Sequence, residues 1–234
     1  MSRPVCFPEG TIPFLKMLVK NNNREWFHEN KANYELVIRE PALNFIEAMA
    51  PELEKISPHF RALPKKVGGS LMRVYRDTRF AKDKTPYKTN IGIQFRHELG
   101  KDVHAPGFYL HIEEGGCFIG VGIWRPDSLS LNKIRDFIVD NPVAWGRAKN
   151  HQPFKTNFQL EGDRLKRAPR GYPADHPLLD DLKWKDFIAC AYFDQAEIMK
   201  PGFCQYVAKH FAQASLFMSY LCMALGVNYS ERTV

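Results

Sequence analysis

Six cations, Arg73, Arg76, Arg79, Lys82, Lys84 and Lys88, fall within seventeen consecutive residues, opposed there only by Asp77 and Asp83. The local balance is six minus two, or +4, against +7 for the whole 234-residue chain. Three chemistries suit this pattern. With the hydroxyls of Thr78, Thr85 and Thr89, the cations form a clamp for a phosphate or carboxylate, Arg through its planar fork and Lys as a point charge. With Tyr75, Phe80 and Tyr87 interleaved, the same cations track a nucleic-acid backbone while the rings stack on bases. Paired with Asp77 and Asp83, they make a structural loop of a non-catalytic interaction protein. Surface ion pairs stabilise little, so folding alone does not call for six cations here, and the anion clamp is the leading reading. Nucleic acid ranks below it, because the rings match no reading module and the charge is local rather than spread as a stripe.

A second set of residues lies on alternating segments. Gly107 to Glu113 and Cys117 to Trp124 alternate in polarity and are joined through Glu114-Gly115-Gly116, a strong hairpin signal. Side chains alternate across a strand, so Phe108, Leu110 and Ile112 share one face with Ile119, Val121 and Ile123. The opposite face carries Tyr109, His111 and Glu113 beside Phe118, Gly120, Gly122 and Trp124, a shallow trough lined by a phenol, an imidazole and a carboxylate. One reading packs a helix there, the glycines allowing close approach. The other is a ligand groove in which His111 and Glu113 act as acid and base while Tyr109 and Trp124 line the walls. No third ligand at a recognisable spacing follows, so we expect no metal.

Other chemistries find less support. The chain has no P-loop, no G-x-G-x-x-G and no Ser–His–Asp order, and no cofactor is expected. Cys6, Cys117, Cys190, Cys204 and Cys222 are odd in number and form no C-x-x-C pair, which reads as reduced, mostly buried thiols. Arg164, Lys166, Arg167 and Arg170 make a second basic patch, read as a solvated loop. The longest apolar stretch, Phe211 to Val227, is broken by Gln213, Ser215 and Ser219, so it reads as a buried helix and not a membrane span. With no apolar run at the N-terminus, a soluble cytoplasmic protein without membrane partners is expected.

The elements that must position these groups fall into helices at both ends around a run of strands. Thr11 is placed to cap a helix bearing Phe14, Leu15 and Leu18. Asn22 with Glu25 resembles a capping box for a helix with Trp26, Phe27 and Tyr34, and Pro41 opens a further helix. Asn90 to Arg96 alternates strictly, with Ile91, Ile93 and Phe95 on one face. Asp127 or Ser128 caps a helix, Asn141-Pro142 opens another, and a second hairpin is expected around Leu160 to Asp163. Asp186 to Phe193 reads as an apolar strand and Phe203 to Leu225 as one long closing helix. Together these predict a single α+β domain over 1–234, with a mainly antiparallel sheet and 228–234 a loose tail.

Several of these stretches resemble a known family. Asn22-Asn23-Arg24-Glu25-Trp26-Phe27 with Asn30-Lys31 and Tyr34, the segment Arg76 to Thr89, the hairpin Tyr109-Leu110-His111-Ile112-Glu113 through Gly122-Ile123-Trp124-Arg125-Pro126, and Gly171-Tyr172-Pro173 with His176-Pro177 are similar to the domain-of-unknown-function 2461 family of bacterial and fungal conserved hypothetical proteins. Glu114 stands where that family usually has proline, and Val121 where it usually has glycine. The second change lies on the apolar face and leaves the trough intact. The resemblance implies a single α+β domain and assigns no activity, cofactor or catalytic residue. The site expected from the residues themselves is therefore a small anionic ligand held by the basic segment beside the Tyr109–His111–Glu113 face.

Overall fold

The computed structural model describes residues 5–100 and 106–230. Helices α1 (Thr11–Lys20), α2 (Arg24–Glu29) and α3 (Lys31–Tyr34) open the chain. A π-helical turn, Glu35–Arg39, joins them to α4 (Glu40–Ile56), whose first turn takes Pro41 where a missing N–H costs nothing. Two expected caps differ in detail. Thr11 is the first residue of α1 and donates its hydroxyl to the Val37 carbonyl at 2.8 Å, so it ties helix to helix instead of capping. Asn23, not Asn22, caps α2 by accepting from the Trp26 N–H at 2.9 Å.

Among the described residues six antiparallel strands follow: β1 (Phe60–Arg61), β2 (Ile91–His97), β3 (Gly107–Ile112), β4 (Phe118–Ile123), β5 (Gln159–Glu161) and β6 (Phe187–Tyr192), in the spatial order β1-β2-β3-β4-β6-β5. The β3–β4 hairpin pairs Phe108 with Val121 and Leu110 with Ile119, the register that the alternation requires. Leu160 to Asp163 does not fold back on itself. β5 pairs with β6 instead, because Gln159 and Glu161 find backbone partners at Cys190 and Ile188. Among the described residues, then, helices flank one antiparallel sheet, an α+β architecture.

One face of the sheet is the core. Ile93, Phe95, Phe108, Leu110, Ile119 and Ile123 are fully buried beneath α9 (Phe203–Gln213) and α10 (Ser215–Leu225), with Phe108 and Phe211 ring centroids 4.6 Å apart. The closing helix is thus two helices, interrupted at Ala214. Between the strands lie α5 (Ser128–Asp140), α6 (Pro142–Asn150), α7 (Gln152–Asn157) and α8 (Leu179–Leu182). Asp127 caps α5 by accepting from the Ser130 N–H. Gly122 sits at φ +110°, and a Cβ there would fall 2.1 Å from the Phe187 carbonyl oxygen, so this strand crossing admits only glycine. Of the expected tail, Tyr229 is buried and its carbonyl accepts from the Ser57 hydroxyl, while 231–234 lie outside the described residues. No helix among the described residues is long and apolar enough to cross a membrane.

Candidate functional site

The face of the sheet turned away from the core carries a hollow of about 490 Å³. Strand register maps its floor in rows. Gly92, His111, Phe118 and Tyr192 form one row, and Gln94, Tyr109, Gly120 and Cys190 the next. Beyond them Arg96, Gly107, Gly122, Ile188 and Glu161 face one another, so the two central strands are bare where they meet. Trp124 stands at the far end, half exposed, with the Arg125 guanidinium 4.6 Å over its ring.

Tyr109, His111 and Glu113 are linked in a chain. The Tyr109 hydroxyl lies 3.0 Å from His111 Nδ1, and His111 Nε2 lies 3.2 Å from Glu113 Oε2. Thr89 donates to Glu113 Oε1 at 3.1 Å, and Asn90 Nδ2 lies 3.4 Å from His111 Nδ1. An ionised carboxylate only accepts, so Nε2 carries the imidazole proton and Nδ1 is left to accept from Tyr109 and Asn90. The Phe118 ring stacks on the imidazole at 4.6 Å and fixes its plane. A Cβ at Gly92 would lie 2.8 Å from the Tyr109 hydroxyl and 3.0 Å from Met72 Sδ, so a side chain there would push on this chain. Burial, with the Glu113 charge adding to it, pushes the Tyr109 phenol up to about 12.

The basic segment divides. Residues 70–76 run antiparallel to 86–94, through Gln94 N–H to Ser70 O, Met72 N–H to Gly92 O, Lys88 N–H to Val74 O and Arg76 N–H to Pro86 O. Lys88, paired with Val74 on this arm, lines the hollow with Tyr109, His111 and Trp124, and Thr89 holds Glu113. Burial holds the Lys88 ammonium below its ordinary value, and the Arg73 charge adds to the effect. The other cations do not border the hollow. Arg79 bonds Asp77 at 2.7 and 3.0 Å, Arg76 bonds Asp83 and Thr85, Lys84 donates to the Thr78 carbonyl at 2.9 Å, and Lys82 is exposed. Asp77 and Asp83 are each held down at about 2, Asp77 chiefly by Arg79 and Asp83 chiefly by the Thr85 N–H and then Arg76. Of the six expected anion ligands, then, Lys88 shares the hollow with His111, Arg73 lies near Lys88, Arg76 ends the paired arm, and Arg79, Lys82 and Lys84 lie on the loop beyond it.

The wall opposite Tyr109 was not foreseen. Tyr192 donates to Glu161 Oε2 at 3.0 Å, and Cys190 lies between them. Burial and then Glu161 push the Cys190 thiol and the Tyr192 phenol each to about 12. Its signal was hidden because β5 is three residues long and its pairing with β6 spans a long loop. Counting back by twos from Gln94 through Gly92 and Asn90 reaches Lys88 on the same face. Among the described residues no three His, Cys, Asp or Glu side chains gather as a metal set.

Fold and hollow together define an α+β architecture built on one antiparallel sheet, with a glycine-floored, largely apolar trough, edged by a few polar groups, on the face opposite its core. The chain belongs to the conserved hypothetical protein family DUF2461, whose pattern it matches over residues 10–220. It matches none of the curated proteins and none of the solved structures.

Proposed function

We propose that the trough binds a small ligand bearing a phosphate or carboxylate, its anionic end on Lys88, and that the Tyr109–His111–Glu113 chain moves a proton on it. The observation that carries this reading is the convergence of Lys88, Tyr109 and His111 on one hollow. A bound anion would offset both the desolvation and the Arg73 repulsion that disfavour the Lys88 charge. The remainder of the ligand lies over Gly120 against Ile188 and Trp124, with Glu161 to accept from its hydroxyl or amino groups. Tyr109, too weak an acid to ionise by itself near neutral pH, serves as a shuttle. Its oxygen accepts a proton from the ligand as its own hydrogen passes to His111 Nδ1, and Glu113 stabilises the imidazolium that forms.

The test is a thermal-shift panel of phosphorylated and carboxylated metabolites. A compound at about a hundred times its Kd adds about 2.7 kcal/mol of stability, readily seen as a raised melting temperature. The reading expects that shift to vanish in Lys88→Met and to survive in Arg79→Ala. A shift lost in Arg79→Ala and kept in Lys88→Met would return the anion to the loop.

A further inference from the structure

We infer a second site, apart from the trough: a basic groove between α2 and the 70–90 hairpin that takes a nucleotide unit, phosphate on cations and base on an exposed ring. The groove has a volume of about 630 Å³. Arg24, His28 and Lys31 enter it from α2 and α3, and Arg76 and Thr78 from the hairpin opposite. Two stretches nearly fifty residues apart in the chain thus contribute to one hollow, and each is incomplete without the other.

The groove is firmly built. The Asn22 side chain bonds both backbone groups of Tyr87, donating to its carbonyl at 2.9 Å and accepting from its N–H at 3.0 Å. This amide stands in for a strand partner and locks the start of α2 to the hairpin. Arg76 is oriented by Asp83 and Thr85, both through Nη1, and among the described residues Nη2 has no partner. Neither Arg24 nor Lys31 reaches a carboxylate within ion-pair distance among the described residues. Among the described residues Glu25 is the one acidic side chain on the lining, set against Arg24, Lys31 and Arg76.

The rings set the ligand class. Phe27 and Tyr87, both buried, stack with centroids 4.0 Å apart and planes 18° from parallel. Tyr75 follows, 5.4 Å from Tyr87, and is 56% exposed. A stacked pair therefore leads from the core to a third ring, tilted 44° from Tyr87 and open in the groove, flanked by cations. An inorganic anion would use the cations and leave that ring in water. A nucleotide uses both, since every base has a π-face to lie against the exposed Tyr75 ring and a phosphate beside it for Arg24 and Lys31. A free nucleotide and a single strand share this chemistry.

Two probes separate those sources: adenosine monophosphate by calorimetry, and a labelled oligothymidylate of about 12 nucleotides by fluorescence anisotropy. A strand neutralising three cations gives a slope of log affinity against log salt of about −2, a loss of about 15-fold between roughly 50 and 200 mM salt. Binding of the oligonucleotide with that slope assigns the groove to a strand, and equal binding of the mononucleotide assigns it to a free nucleotide. In either case Arg24→Glu with Lys31→Glu, both at the surface, lowers affinity at least about tenfold, and Tyr75→Ala about tenfold. Lys88→Met, in the trough, leaves it unchanged. Failure of both probes to bind at low salt overturns the inference, as does binding that survives the Arg24/Lys31 and Tyr75 changes in variants with unaltered melting temperature. Neither failure touches the trough, whose test is read through Lys88.

Discussion

Two glycines two residues apart on β4 should respond in opposite ways to a side chain. At Gly120 a Cβ would meet Tyr109 and Phe118 at 3.6 Å, ordinary contact, and the backbone is unstrained there. Glycine within a strand costs roughly 0.5–1 kcal/mol in chain entropy, so Gly120→Val should leave the fold intact or raise the melting temperature by about 1–4 °C. Its methyl groups would nevertheless stand in the trough, and loss of one good contact set weakens a ligand tenfold or more, about 1.4 kcal/mol. Gly122→Ala meets the Phe187 carbonyl at 2.1 Å from a φ of +110°. Backbone strain alone there costs about 1–3 kcal/mol, a fall of about 2–12 °C. Differential scanning fluorimetry reads both halves, without and with any compound that stabilises the wild type. A Gly120→Val protein that melts many degrees lower would show that this glycine serves packing. One that still binds would show that the strand face is not the site.

Three further outcomes are expected. Asn22→Ala leaves the N–H and C=O of Tyr87 without their partner, costing about 1–3 kcal/mol in urea denaturation, and Asn22→Asp recovers only the N–H contact; an unchanged midpoint in both would deny the clamp. Arg79→Ala, at the surface, should leave the melting temperature within about 2 °C of wild type, and a larger fall would make the loop ion pairs structural. His97 and His210 are held below the ordinary histidine value by burial, each with a backbone carbonyl partner. The folded state resists their protonation while the unfolded chain accepts it, so stability is full above about pH 7 and declines as pH falls below roughly 6.5. His97→Gln should flatten part of that decline between pH 7 and 5.5, and an unaltered slope would remove His97 as its source.

How much of this was legible in the chain depended on how local each pairing is. The Gly107–Trp124 hairpin was readable because its turn and its alternation lie in one short stretch, and a period of two fixes the face of every residue. That alone placed Tyr109, His111 and Glu113 together. Glu161 and Tyr192 escaped because they meet through a pairing of distant strands, which no local pattern encodes. The basic segment is divided in a way its sequence does not show. Its charge density is real, yet a strand arm and a loop divide it, sending Lys88 to one hollow and Arg76 to another. Arg24, His28 and Lys31 recur at intervals of four and three, the spacing of one helical face, and that stripe was visible beside Phe27 and Tyr34. Its meaning needed the hairpin that Asn22 brings against it.

The central claim is that Lys88, and not the loop, holds the anion. Trace acetylation of lysines followed by mass spectrometry, across pH and with a compound that raises the melting temperature, reads each amine separately. The expected result is that Lys88 titrates below the ordinary lysine value and is shielded when the compound is present, while Lys82 and Lys84 label as they do without it. Shielding of Lys82 and Lys84 with Lys88 left open would contradict it.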